Sequence, residues 1–463
     1  MSDLPRGWIG TSLGEICSKP QYGWTSKASK TGRIKYVRTT DISNGQLDWH
    51  AVPFCELEPD DIEKFRVREN DILVSRAGSV GVSFRIRDVP GDAVFASYLI
   101  RFNPLECMLP KYIEYFLRSG DYWDAISEFS AGIAIPNVNA SKLAEIKVPV
   151  PPLSEQRRIV TKLEKLLSRV DTAQVRLATI PRILKRFRQS VLDAACSGRL
   201  TADWRDQNHG ETKRRTNEDE PPSSWREYPL SKLVRVSSGE AFKKAEYSES
   251  GASLLQIANV SFGKIIWEQQ NFLPGSYLQS HSDLVLNDGD IVMALNRPLL
   301  NWQIKVARVS KRDLPAILYQ RVGRFSFVEQ NGTLDSAFLF LFLQSPRFIY
   351  ELSGRLRGTD QPYINPPDML EILFPLAPLL EQREIVRRVE ALFKTADALE
   401  ARYRKAKAHV DKLTQSILAK AFRGELVPQN PNDEPAEKLL ERVRSERENG
   451  AKRQSKTSKH RRH

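Results

Sequence analysis

The sequence predicts a modular α/β (α+β) protein. Two mixed α/β domains alternate with two long helices that pair as an antiparallel coiled coil, giving a pseudo-two-fold molecule. Three observations predict this. The 463 residues exceed what a single hydrophobic core organises, roughly 250–300 residues. The chain repeats itself at a shift of 226 residues, Pro149 to Asp171 lying over Pro375 to Asp397 with 11 identities in 23 ungapped positions. Each repeated segment carries apolar residues at alternating spacings of four and three, the seam of a coiled coil.

The first variable region, residues 1–152, opens on Pro5-Arg6-Gly7-Trp8, and the second, residues 225–378, on Trp225 at the end of Pro222-Ser223-Ser224-Trp225. These openings are 217 residues apart, so insertions and divergence lie inside the variable regions rather than in the well-matched segments. Strand-like runs are Ile34 to Arg38, Asp71 to Ser75 and Ala93 to Ala96 in the first region, and Ser253 to Ile257 and Asp290 to Ala294 in the second. Pro110 to Ser119 and Ser336 to Gln344 read as helices. Ile42 to Trp49 and Val260 to Trp267 align, each reading as a strand, a glycine turn and a returning strand.

The similar segments, residues 153–200 and 379–426, are the helices. Residues 201–224 link the first helix to the second domain, and residues 427–463 form a tail. Seam positions include Ile159, Leu163, Leu166, Leu177, Leu184 and Phe187 in the first helix. The second gives Ile385, Val389, Leu392, Leu399 and Leu413. Pro151-Pro152-Leu153-Ser154 and Ala377-Pro378-Leu379 are helix entries, and Gly198 and Gly424 are stops. Pro181 predicts a kink or short break near Ile180, since an interior proline costs a helix about 3 kcal/mol. At ~1.5 Å per residue, Ile159 to Ala194 make a rod of roughly 54 Å.

Composition excludes several classes. With 27% charged residues and a longest apolar run of Ala337 to Leu343, no segment approaches the ~20 residues of a membrane span. The opening Met1 to Pro5 has no secretory-leader character, and Cys17, Cys55, Cys107 and Cys196 have no metal or disulfide-framework spacing, so a cytoplasmic chain with free thiols is expected. Neither a phosphate-binding glycine loop nor a metal-binding or nuclease cluster stands out, and no catalytic residue is assigned. Asn365-Pro366-Pro367-Asp368 approaches the Asn-Pro-Pro-aromatic loop of amino-methyltransferases. Its fourth residue is Asp, and a turn into the last strand of the second domain is expected instead.

Two variable regions, each followed by a Pro-Pro-Leu-x-Glu-Gln type helix, resemble the specificity subunit of type I restriction-modification systems. The resemblance covers essentially the whole chain. It rests on Pro151 to Arg157 and Ile180 to Leu192 in the first copy, and on Glu381-Gln382 and Leu413 to Leu426 in the second. The tail, with Pro428 to Pro435 and Leu439 to Arg442, is similar to the enterobacterial, type IA-like subclass. The resemblance implies that each variable region is a target-recognition domain reading one half of a split double-stranded DNA sequence. It implies further that the helices set the gap and dock two methyltransferase subunits, with two motor-nuclease subunits joining for cleavage. S-adenosylmethionine, ATP and Mg then belong to those partners, and this chain holds no cofactor. The alternatives are a self-sufficient adenine methyltransferase and a stand-alone coiled-coil DNA-binding scaffold.

Bases are read by polar side chains on loops, with Arg suited to guanine and Asn or Gln to adenine. Candidates in the first domain are Arg38, Thr39 and Thr40 after the first strand, and Arg76 and Ser79 after the second. In the second domain they are Asn259, Asn296, Arg297 and Gln361, and Lys27, Lys30, Lys243 and Lys244 suit phosphates. Within the tail, Ala436, Leu439, Leu440 and Val443 form the apolar side of a short helix expected to dock on the rod or a partner, and the basic end from Gly450 is expected to be disordered.

The formal charge of +13 is unevenly spread. Residues 1–152 hold 18 basic and 19 acidic residues and residues 201–378 hold 20 and 21, whereas the helix segments hold 11 against 4 and 11 against 7. A polyanionic partner is implied, with the excess carried by the helices and tail.

Overall fold

The computed structural model describes residues 4–43, 45–130, 137–209, 222–328 and 333–445. The chain divides into two units, one of Met1–Ala178 with Lys405–His463 and one of Thr179–Arg404. Each unit therefore holds one variable region, part of the first long helix and part of the second.

In the first unit, Ile9–Ser12 pairs antiparallel with Lys147–Val150, tying the two ends of the variable region together just before the helix begins. A four-stranded antiparallel sheet runs in the order Gln21–Tyr22, Leu99–Phe102, Ile72–Ser75, Ser83–Arg85. A second sheet orders Ala28–Ser29, Phe54–Cys55, Lys35–Val37 and Ala93–Phe95, the last two parallel. The second unit repeats the plan. Arg226–Pro229 pairs with Leu373–Leu376, the four-stranded order is Val234–Ser238, Val322–Phe327, Ile291–Ala294, Val306–Arg308, and Ala252–Leu255 lies parallel to Ala316–Leu318 beside Phe272–Leu273. Ile72–Ser75 and Ile291–Ala294 are buried at every position, in keeping with their apolar runs Ile72 to Val74 and Ile291 to Ala294. A hairpin of Leu299–Leu300 and Gln303–Ile304 has no counterpart among the described residues of the first unit.

The expected strands at Ile34, Asp71, Ala93, Ser253 and Asp290, and the helices at Pro110 and Ser336, are present within a few residues. The strand, turn and returning strand expected at Ile42 to Trp49 and at Val260 to Trp267 are absent as strands among the described residues. Thr39–Ile42 is a helical turn, because the Asp41 carboxylate accepts the Arg38 amide at 2.8 Å and coils the segment, and the second copy keeps only isolated bridges. The glycine turn of the first copy is present, Gly45 at φ +69°. The matching turn in the second unit, Gly263 at φ +76°, lies between the bridged residues Val260 and Ile265.

Leu153–Cys196 and Leu379–Phe422 are both 44 residues long and start 226 positions apart. The first runs without a break through Pro181, contrary to the break expected there; the ring lies on an exposed position of the helix. In the first unit the beginning of the first helix packs with the end of the second, through Ile159, Leu163 and Leu167 with Leu418, Ala421 and Phe422. In the second unit the order is reversed, Val191, Leu192 and Ala195 joining Ile385 and Val389. Both pairings are antiparallel.

Seam residues Ile159, Leu163, Leu184, Ile385 and Val389 are buried, and Leu166, Leu177, Leu392 and Leu413 are half-buried. Leu399 and Phe187 are corrections, exposed at 47% and 38%. Near Leu399 the helix turns Phe393, Asp397 and Glu400 to Arg188, whose guanidinium lies 5.6 Å from the Phe393 ring and bonds Asp397 at 2.9 Å and Glu400 at 3.0 Å. An ion pair thus replaces the apolar contact that the heptad pattern predicts.

The tail packs within the first unit. Residues 436–445 are helical, and Ala436, Leu439, Leu440 and Val443 are buried in the core of the first unit with Trp8, Leu13 and Ile16. The Ala436 amide donates to the Gly7 carbonyl at 3.0 Å and Arg444 pairs with Glu15 at 2.9 Å. The same core includes Ile159, Leu163, Leu418 and Phe422, so the tail helix joins both the first variable region and the long helices. The basic end from Gly450 lies outside the described residues.

Candidate nucleic-acid interface

The Glu-Gln pair at each helix start fixes the variable region to its helix. Trp8 Nε1 donates to Glu155 Oε2 at 3.1 Å, and Trp225 Nε1 donates to Glu381 Oε2 at 2.9 Å. Gln156 Oε1 accepts the Leu109 amide at 2.9 Å and Gln382 Oε1 accepts the Asp335 amide at 2.8 Å, so each glutamine holds the N-terminal end of a domain helix. All four side chains are buried.

Held in this way, the first unit exposes a group of side chains at the ends of its strands. The Arg76 amide donates to the Tyr98 carbonyl at 2.9 Å, and its guanidinium lies 4.9 Å from the Tyr22 ring while Nε donates to Asn137 Oδ1 at 3.3 Å. Tyr22 and Tyr98 are 39% and 61% exposed. The turn before Tyr98 is joined to the neighbouring strand end, the Ala96 amide donating to the Val37 carbonyl at 2.9 Å. Arg38 follows immediately. Its Nε and Nη2 bond the Asp41 carboxylate at 3.1 and 2.8 Å, which raises the guanidinium pKa further and fixes its plane. Thr39 is half-buried, and Thr40 and Ser79 are exposed.

The second unit builds the corresponding edge from different residues. The Leu295 amide donates to the Arg321 carbonyl at 2.8 Å, Asn296 bridges Tyr363, and the Arg297 amide donates to the Pro362 carbonyl at 2.6 Å. This brings Asn296, Arg297 and Gln361 together as candidates that the sequence could only place separately. Arg297 and Gln361 are exposed and Asn296 is half-buried. Asn259 is a correction: it is 1% exposed, its Oδ1 accepts the Gln256 amide at 2.9 Å, and its Nδ2 donates to the Ile266 and Gln269 carbonyls at 3.1 and 2.7 Å. Every part of that side chain shapes the turn.

Lys27, Lys30, Lys243 and Lys244 are exposed, and no described contact joins them to these edges. Asn365 precedes the short helix Pro366–Leu370 before the last strand without a side-chain capping bond, whereas Asn139 caps Ala140–Glu145 in the first unit by accepting the Lys142 amide. Tyr22, Tyr98, Asn137, Gln256, Arg321 and Tyr363 were not singled out from the sequence. Only the tertiary hydrogen bonds mark Tyr22 and Asn137, whereas the internal alignment could have led from Arg38 to Gln256.

Among the described residues no cluster of potential metal ligands occurs, and no helix is long and apolar enough to cross a membrane. The family described as type I restriction modification DNA specificity domain matches residues 5–182 and 222–408. The chain is 34% identical over 372 residues to the type I restriction enzyme MjaVIII specificity subunit of Methanocaldococcus jannaschii, covering 79% of this chain and 81% of that one. It is 31% identical over 469 residues to the EcoKI specificity subunit of Escherichia coli, covering 96% of each. Its fold matches the crystal structure of the HsdS subunit from Thermoanaerobacter tengcongensis with a TM-score of 0.59 at 20% identity, over 91% of this chain and 98% of that one. By these matches and by its doubled architecture, the chain belongs to the type I restriction-modification DNA specificity subunits.

Proposed function

We propose that this chain is the non-catalytic DNA-recognition subunit of a type I restriction-modification complex. Residues 1–152 and 225–378 each read one half of a split, asymmetric double-stranded target, and the long helices, residues 153–200 and 379–426, set the unread gap. The observation that carries this reading is the pair of edges: one topology, one mode of attachment to the helix, and unlike side chains presented at equivalent places. Two different readers on one chain require two different half-sites. Two methyltransferase subunits dock on the helices and supply S-adenosylmethionine chemistry; two motor-nuclease subunits bring ATP and Mg. The complex works on cytoplasmic DNA. A self-sufficient methyltransferase is disfavoured because Asn365 sits at the start of a short helix, with Pro366 and Pro367 as its first residues and the Asn365 Nδ2 donating to Asp368 Oδ2 at 3.4 Å.

The test is methylation mapping in cells that express the chain with its methyltransferase partner. Exchanging residues 1–152 for those of another family member should change one half-site alone, and a heptad added to each helix should widen the gap while both half-sites stay fixed. A gap that does not respond would overturn the spacer role.

A further inference from the structure

Arg38 and Gln256 stand at one position of the repeated fold. Each follows the strand that lies parallel to its neighbour, Lys35–Val37 beside Ala93–Phe95 and Ala252–Leu255 beside Ala316–Leu318. Each opens the same turn, the Arg38 amide donating to Asp41 Oδ2 at 2.8 Å and the Gln256 amide to Asn259 Oδ1 at 2.9 Å. The residue before each is bonded alike, Ala96 N–H donating to the Val37 carbonyl at 2.9 Å and Tyr319 N–H to the Leu255 carbonyl at 3.1 Å. Two copies of one backbone arrangement thus display different head groups.

Both head groups are clamped from behind. Asp41 holds Nε and one proton of Nη2 of Arg38, and the side chain remains 38% exposed. The free side of the guanidinium keeps Nη1 and the second Nη2 proton, two donors at the spacing of O6 and N7 of guanine. Gln256 Oε1 accepts from Asn271 Nδ2 at 2.7 Å and its Nε2 donates to Tyr247 Oη at 3.4 Å. One lone pair on Oε1 and one proton on Nε2 remain, the acceptor and donor that match N6 and N7 of adenine. A clamped side chain loses less rotamer entropy on binding, so both are prepared for contact.

We propose that this shared position reads one base pair in each half-site through the major groove, Arg38 taking a guanine in the half-site of the first domain and Gln256 an adenine in that of the second. The proposal rests on the reading of the two domains as half-site readers.

The full chain, assembled with its methyltransferase partner, is titrated with duplexes of the mapped target in which each guanine or adenine is replaced in turn by its 7-deaza analogue, which lacks N7. The wild-type complex should lose about 10- to 100-fold in affinity at one guanine of the first half-site and at one adenine of the second. Arg38→Gln should abolish the first sensitivity and keep the second, and Gln256→Arg should do the reverse. Asp41→Asn and Asn271→Ala, which keep the reading groups and loosen their clamps, should reduce the corresponding sensitivity and serve in place of any variant that does not assemble. The proposal is overturned if the wild type shows no such positions, or if the variants leave the sensitivities unchanged or move them in the opposite half-site. A domain exchange that altered both half-sites would instead overturn the bipartite reading itself.

Discussion

Trp225 and Glu381, 156 residues apart, meet in a buried hydrogen bond of 2.9 Å, and Trp8 and Glu155 repeat it at 3.1 Å. The two copies are balanced differently. Glu381 also forms a buried ion pair with Arg205 and accepts from Thr201 at 2.7 Å, whereas Glu155 has the neutral Gln429 as its further partner at 3.4 Å.

Glu381→Gln should destabilise the second unit by about 3 kcal/mol, because removing one member of a buried pair leaves the other charge uncompensated. Denaturant unfolding of the full chain, followed by Trp fluorescence, checks this. A loss below ~1 kcal/mol would show that Arg205 finds sufficient partners in Thr201 and the Gly198 carbonyl.

Glu155→Gln should behave oppositely at neutral pH. Burial pushes the Glu155 carboxyl above its ordinary value of 4.5, against the opposing bonds from Trp8 and Gln429 and the charge of Arg158. A folded-state value raised in this way favours folding below pH 4.5, where the group is protonated, and that contribution is lost as pH rises through the folded value. At pH 7 the buried charge is a cost. The variant should therefore unfold at the same or higher temperature than the wild type at pH 7, with the difference closing below pH 4.5 in a series of melting curves.

Gly198 and Gly424 end the two long helices at φ +75° and +77°. A Cβ would lie 2.5 Å from Pro222 Cγ at the first and 2.3 Å from Pro5 Cγ at the second, the prolines that begin the two Pro-x-x-Trp openings. Replacing either glycine by alanine should cost more than ~1 kcal/mol, through strain at positive φ and displacement of the proline. Parallel thermal melts of the two variants would test the equivalence.

Pro181→Ala should stabilise the chain by up to ~3 kcal/mol, since the helix already continues through this exposed position and the substitution restores a backbone donor. A drop in thermal midpoint would mean that the proline ring fulfils a role in packing.

Leu440→Ala should cost about 2–4 kcal/mol, because Leu440 is 3% exposed within the core of the first unit. Proteolysis of the purified chain gives a second readout, the tail becoming cleavable under native conditions.

The sequence made the architecture legible where periodicity or repetition carries it. Helices of equal length follow from an ungapped shift and a heptad pattern, and buried strands follow from short apolar runs bounded by turn residues. The exceptions lie where a polar contact within the fold prevails. Leu399 satisfies the heptad but Glu400 receives Arg188, and Asn259 has base-reading chemistry but spends all of it on its own turn.

Taken alone, the sequence determined the two-copy plan, the near-neutral variable regions, the basic helices and the family, because these reside in local pattern and in one chain compared with itself. Only the tertiary structure decided which residues share an edge. Tyr22, Arg38, Arg76, Tyr98 and Asn137 are drawn together by sheet order and by hydrogen bonds between strand ends, and sequence separation carries no trace of either. It likewise decided that the tail helix completes the first unit and that Arg38 and Gln256 open one and the same turn, closed by Asp41 in one copy and Asn259 in the other, since these bonds are made only in the folded chain.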